Sequence, residues 1–123
     1  MADRELEVII KAKKLVSHTV RVSSNCRKYP KKFRFSVVDR MQKKSMDIYE
    51  ALMEANRTDL KDFKRERSEL QTRAITCCDE LLFYIELSHE LGFIDVSGME
   101  YWSLMVTDIK RMAIAWRSKD KTR

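Results

Sequence analysis

Apolar and small side chains recur at alternating spacings of four and three along the first part of the chain, at Val8, Ala12, Leu15, Thr19, Val22 and Cys26. Such spacing places them on one helix face and predicts a first helix over about residues 4–28. Thr19 and its polar neighbours make this the weakest stripe. Pro30 then interrupts the pattern, because proline lacks an N–H and disfavours helical geometry in the residue before it. A second helix is expected over 37–56, capped by the Ser36 hydroxyl with Asp39 in its first turn. Its stripe is Val38, Met41, Ser45, Ile48, Leu52 and Ala55, widened by Met46, Tyr49 and Met53 into a face broad enough for a globular core.

A third helix is expected over 59–91, capped by Thr58 or Asp59. Its heptad-like positions Phe63, Arg67, Leu70, Ala74, Cys77, Leu81, Tyr84, Ser88 and Leu91 end at Gly92, a favourable C′ residue. At 1.5 Å per residue it would be roughly 50 Å long, so its charged beginning, Lys61 to Arg73, is expected to project or pack only in part. Ser97-Gly98-Met99-Glu100 reads as a capping box for a fourth helix over 98–117, with Met99, Trp102, Val106, Ile109, Ala113 and Trp116 as its stripe. The polar tail from Ser118 is expected to fray.

Four amphipathic helices with short connections predict an all-α fold, an up-down-up-down antiparallel four-helix bundle forming one domain over 1–123. The composition agrees. Only 2 Gly and 1 Pro accompany 44% hydrophobic residues, too few turn formers for a sandwich or an α/β fold and too much apolar surface for global disorder. No apolar run approaches the ~20 residues that span a bilayer. The first residues, Met1 to Glu5, carry acids and lack the basic and apolar regions of a signal peptide, and three cysteines, Cys26, Cys77 and Cys78, are an odd number. A cytoplasmic protein with reduced thiols is expected.

Charge is distributed in blocks. Residues 21–44 hold nine Lys/Arg against one acid, residues 76–109 hold seven acids and no Lys/Arg, and residues 110–123 hold six Lys/Arg against one acid. Arg27, Lys28, Lys31, Lys32 and Arg34 flank a turn, and Arg40, Lys43 and Lys44 continue along the second helix. Converging on one surface, these eight would bind phosphate backbones without sequence specificity. Tyr29, Phe33 and Phe35 are interleaved with them and can stack on unpaired bases. The other reading is a solvated turn with Phe33 and Phe35 tucked under the bundle end. The charge run alone does not choose between the two, and separated charge faces also allow self-association.

Catalytic chemistry finds little support. Glu86-Leu87-Ser88-His89 has the E-x-x-H form used by di-iron bundles, but His18 has no glutamate three residues before it to complete a pair. Adjacent Cys77 and Cys78 lack zinc-site spacing with His89 and read as small hydrophobes. With Gly92 and Gly98 the only glycines, no phosphate loop or dinucleotide fingerprint can be built. Met41, Met46, Met53, Tyr84, Trp102 and Trp116 read as core, Trp116 having a subunit contact as its alternative. No catalytic residue, cofactor or metal is expected.

Tyr29-Pro30-Lys31-Lys32-Phe33-Arg34-Phe35, running into Val38-Asp39-Arg40-Met41-Gln42 and later Asp47-Ile48-Tyr49-Glu50-Ala51-Leu52-Met53-Glu54-Ala55-Asn56, resembles a stretch of small bacterial four-helix-bundle proteins. These are the accessory variability determinant (Avd) proteins of diversity-generating retroelements, resembled most, and the proteins encoded by intervening sequences in large-subunit ribosomal RNA genes. Asp79-Glu80-Leu81, Leu91-Gly92-Phe93-Ile94 and Tyr101 through Trp116 extend the resemblance over nearly the whole chain. Many relatives carry Gly-Gly-Trp where this chain has Ile114-Ala115-Trp116. The resemblance implies a non-catalytic homo-oligomer, a barrel-like homopentamer, that binds a reverse transcriptase and its template and flanking RNA to support mutagenic cDNA synthesis in retrohoming. It does not single out contact residues within Arg27–Lys44, and Lys11, Lys13, Lys14 and Arg21 are further candidates. The alternatives are a ribosomal-RNA-associated bundle protein and a structural oligomeric module without nucleic acid, an enzyme coming last.

Overall fold

The computed structural model describes residues 3–123, with side chains from Glu7 onward, so the acidic start at Met1 to Glu5 lies largely outside the described residues. Four helices account for most of it: α1 Asp3–Ser23, α2 Asp39–Arg57, α3 Lys64–Glu90 and α4 Val96–Lys121. Each packs on its neighbour in sequence and α4 closes against α1, the arrangement of an all-α four-helix bundle. Leu15, Met41, Ile48, Leu52, Leu81, Ile85, Trp102, Val106 and Ile109 meet in the middle, fully buried. Among the described residues no helix is long and apolar enough to cross a membrane.

Polar stripe positions are reconciled with the core by local hydrogen bonds. Ser45 donates to the Gln42 carbonyl at 2.8 Å and Ser88 to the Tyr84 carbonyl at 2.8 Å, so neither buried hydroxyl is stranded. Thr19 accepts from the Trp102 indole at 3.1 Å, while its carbonyl accepts from Ser23 and Ser23 accepts from the Gln42 amide. A polar thread thus joins α4, α1 and α2, and Thr19 belongs in the stripe because it serves a buried donor.

Several expected boundaries move. α1 stops at Ser23, not at residue 28, because the Asn25 side chain accepts from the Arg27 N–H at 3.0 Å and draws the chain into a turn; Cys26 is consequently exposed. Ser36 caps nothing. The helical path already begins at Lys31 behind Pro30, as a 3₁₀ turn Lys31–Phe33 and a π-helical turn Arg34–Val38 leading into α2, so no free N–H groups remain at Ser36. α3 begins at Lys64, since Thr58 is extended and closes α2 while Asp59 starts a separate turn. Gly92 does end α3, at φ +80, with Phe93 N–H bonded to the Ser88 carbonyl. The fourth helix is capped by Asp95, which accepts from Gly98 N–H at 2.7 Å, and not by Ser97.

The tail does not fray, and the charged beginning of α3 packs in part, with Lys64 to Glu66 exposed and Arg67 and Gln71 turned into the bundle. Asp120, 3% exposed, accepts from Arg67 at 2.7 Å and from Gln71 at 2.8 Å, and Arg67 also lies over the Trp116 ring. One buried carboxylate fastens the last turn of α4 to the first turns of α3. Trp116 is accordingly core, whereas Ala115 faces outward. Met46 is exposed and Met53 half-buried on α2, where Asp47 and Ala51 are buried instead, and Tyr84 is half-buried on α3.

Candidate nucleic-acid interface

The basic turn is held by aromatic packing beneath it. Tyr29 is buried, with its ring 4.9 Å from that of Phe93, and half-buried Phe33 lies 5.1 Å from the same ring. This cluster plugs the end of the bundle where α3 turns into α4. Burial raises the Tyr29 phenol pKa, with the neighbouring Ser88 hydroxyl pulling the other way. Both rings pack against Phe93, and the Lys32 ammonium lies 5.3 Å from the Phe33 centroid. Phe35 differs, being 77% exposed with the Arg34 guanidinium 5.9 Å from its centroid. The expectation that Phe35 tucks under the bundle fails, because the wide π-helical turn sends Val37 and Val38 inward and leaves Arg34, Phe35 and Ser36 outside.

Arg27, Lys28, Lys31, Lys32 and Arg34 are all exposed on this turn, and among the described residues none of the five makes an ion pair. Lys31 and Arg34 line one recess with Cys26, Phe35, Asp39 and Gln42. Arg40, Lys43 and Lys44 line a different one, between α2 and α3. There Lys43 and Arg73 approach the nearly buried Asp47 at 3.1 and 3.8 Å, and Lys44 meets Glu80 at 3.2 Å. The eight expected cations thus divide into a free group on the turn and a group facing the acidic side of α3. Lys44 reaches across to Glu80 on α3, whereas Lys43 pairs with Asp47 one turn along α2 itself.

A second basic recess lies between α1 and α4, where Lys13, Lys14 and Arg21 surround His18 and Tyr101. His18 stands edge-on to Tyr101 and Trp102 at 5.4 and 5.6 Å, and burial followed by the Arg21 charge lowers its pKa. Tyr101, 60% exposed, falls between stripe positions of α4, and only the packing of α4 on α1 brings it to these lysines.

The reactive residue types sit in ordinary surroundings. Cys77 and Cys78 are buried; burial pushes the Cys78 thiol up to about 12 and raises that of Cys77, which keeps both protonated at neutral pH. Glu86 is exposed and His89 half-buried on α3. Among the described residues no three His, Cys, Asp or Glu side chains come together to hold a metal.

No protein-family model and no curated protein matches the sequence. A crystal structure of a protein of unknown function from the S23 ribosomal protein family of Bacteroides thetaiotaomicron is similar in fold. Its TM-score is 0.82 at 14% sequence identity, over 94% of this chain and 98% of that one. The chain therefore has the helical-bundle fold seen in that S23-family protein.

Proposed function

We propose that this chain is a non-catalytic accessory protein that holds RNA against a partner enzyme, the reverse transcriptase of a diversity-generating retroelement. The observation that carries this reading is the set of cations on the 27–34 turn, exposed and without carboxylate partners among the described residues. Cations so placed can replace the counterions condensed on a polyanion, whose release drives sequence-independent binding. The aromatic plug of Tyr29, Phe33 and Phe93 keeps the turn in place, so little order is lost on binding. The identity of the partner rests on the resemblance to Avd proteins, as does a cytoplasmic homopentamer.

The test is reconstitution of the reverse transcriptase and its template RNA with and without this protein. Template-primed cDNA is expected only in its presence. Charge reversal at Lys28, Lys31, Lys32 and Arg34 to glutamate should abolish that stimulation while the circular dichroism of the bundle is unchanged. Equal cDNA without the protein, or with the folded charge-reversed variant, would overturn the reading. A second reading, association with ribosomal RNA, is favoured by the fold likeness to an S23-family protein. Selective retention of ribosomal RNA over retroelement RNA would choose it.

A further inference from the structure

We infer that the turn carries a single-strand site, in which a phosphate is held between Lys31 and Arg34 and the adjoining unpaired base stacks on Phe35. This inference rests on the RNA-binding reading above and adds to it the form of nucleic acid and the residue that selects it. Three observations meet at one place. Phe35 is exposed to 77%, more than any other large apolar side chain described. It lies in the same recess as Lys31 and Arg34, both free of ion pairs among the described residues. The Arg34 guanidinium approaches its ring at 5.9 Å, which leaves the ring's electron-rich face electrostatically engaged on one side only.

The backbone supplies the reason for this exposure. An α-helical path from Arg34 would advance about 100° per residue, whereas the wider turn over Arg34–Val38 advances less. Val37 and Val38 reach the core together, and Phe35 is carried outward. Isolated exposed aromatics are common on protein surfaces. An exposed ring beside uncompensated cations is the pairing that single-strand binders use, cations tracking the backbone and an aromatic face receiving a base. Paired bases keep their faces inside the helical stack, so a duplex can use the cations but not the ring. Asp39 lines the same recess, and its carboxylate disfavours a second phosphate there. Tyr29 is buried and Phe33 half-buried against Phe93, so both present less ring surface than Phe35.

The experiment compares a fluorescein-labelled single-stranded RNA with a blunt duplex of the same length by anisotropy, at one fixed salt concentration, for the full chain and its variants. Phe35→Ala should weaken single-strand binding roughly ten-fold while duplex binding changes less than two-fold, and Phe35→Trp should restore it. Because Phe35 lies outside the core, the variant should keep its thermal midpoint. A 2-aminopurine in the single strand should be quenched by wild type and not by Phe35→Ala. Lys31→Glu with Arg34→Glu should weaken both ligands. Unchanged single-strand affinity in Phe35→Ala, with the charge variant still impaired, overturns the stacking site alone and points to Phe35 as a protein contact. Failure of wild type to bind either RNA overturns the RNA-binding reading and this inference with it.

Discussion

A carboxylate that is 3% exposed remains an anion only where charge and hydrogen bonds replace lost water, and Asp120 has both. Burial by itself would raise its pKa; hydrogen bonds from Arg67, Gln71 and Arg123, with the Arg67 charge, outweigh that and hold it below the ordinary 3.8. A group with a depressed folded pKa adds stability above its unfolded value and loses it as pH falls through the folded one. Wild type should therefore lose urea resistance as pH drops below about 4, and Asp120→Asn should show a shallower acid limb. Asp120→Ala leaves Arg67 buried beside Trp116 without its partner, and should lower unfolding free energy by about 3–5 kcal/mol at pH 7 in urea titrations. A pH-independent difference between wild type and Asp120→Asn would show that the pair contributes no linked protonation.

Among the elements, α4 has a starting signal that can be tested in isolation. The Asp95 carboxylate accepts from Gly98 N–H, and a Cβ at Gly98 would stand 3.1 Å from the same oxygen, so the cap and the glycine are matched. Asp95→Ala should cost about 1 kcal/mol and Asp95→Asn much less, measured by thermal unfolding. The helix start written by Ser36 and Asp39 is different in kind. Pro30, at φ −58 and ψ 145, presents the chain for a helical turn directly, and the path then passes through 3₁₀ and π geometry without a side-chain cap. That irregular path is what exposes Phe35.

For the molecule as a whole, charge is sorted by place: a free basic turn at one end, a basic recess between α1 and α4, and cations of α2 and α4 answered by Asp47, Glu80 and Asp79. The cations of the turn are free to replace the counterions condensed on a polyanion. If these five cations each replace one counterion on single-stranded RNA, log affinity should fall against log salt with a slope near −3.5. That is roughly a hundred-fold loss from about 50 to about 200 mM salt. Arg40→Gln, Lys43→Gln and Lys44→Gln together should make the slope shallower by no more than about 0.7, the share of Arg40, because Lys43 and Lys44 are already ion-paired. A slope that falls by about 2 or more in that triple variant would extend the binding surface along α2.

The bundle and most of its core were legible in the sequence because helical burial is periodic: Leu15, Met41, Ile48, Leu52, Leu81, Trp102, Val106 and Ile109 announce themselves by spacing alone. The candidate surface was legible as a run of cations. Spacing could not reveal how those cations are partnered, since ion pairs such as Lys44 with Glu80 join residues distant in sequence. Nor could it separate Tyr29, Phe33 and Phe35, three aromatics in one basic string, of which Phe93 engages the first two. Likewise Arg67 reads as a charged stripe position and Asp120 as part of a polar tail until α3 and α4 are laid side by side. Local periodicity determined which faces are buried, because it depends on neighbours three and four residues away; tertiary packing decided which charges and rings remain free, because their partners come from other helices.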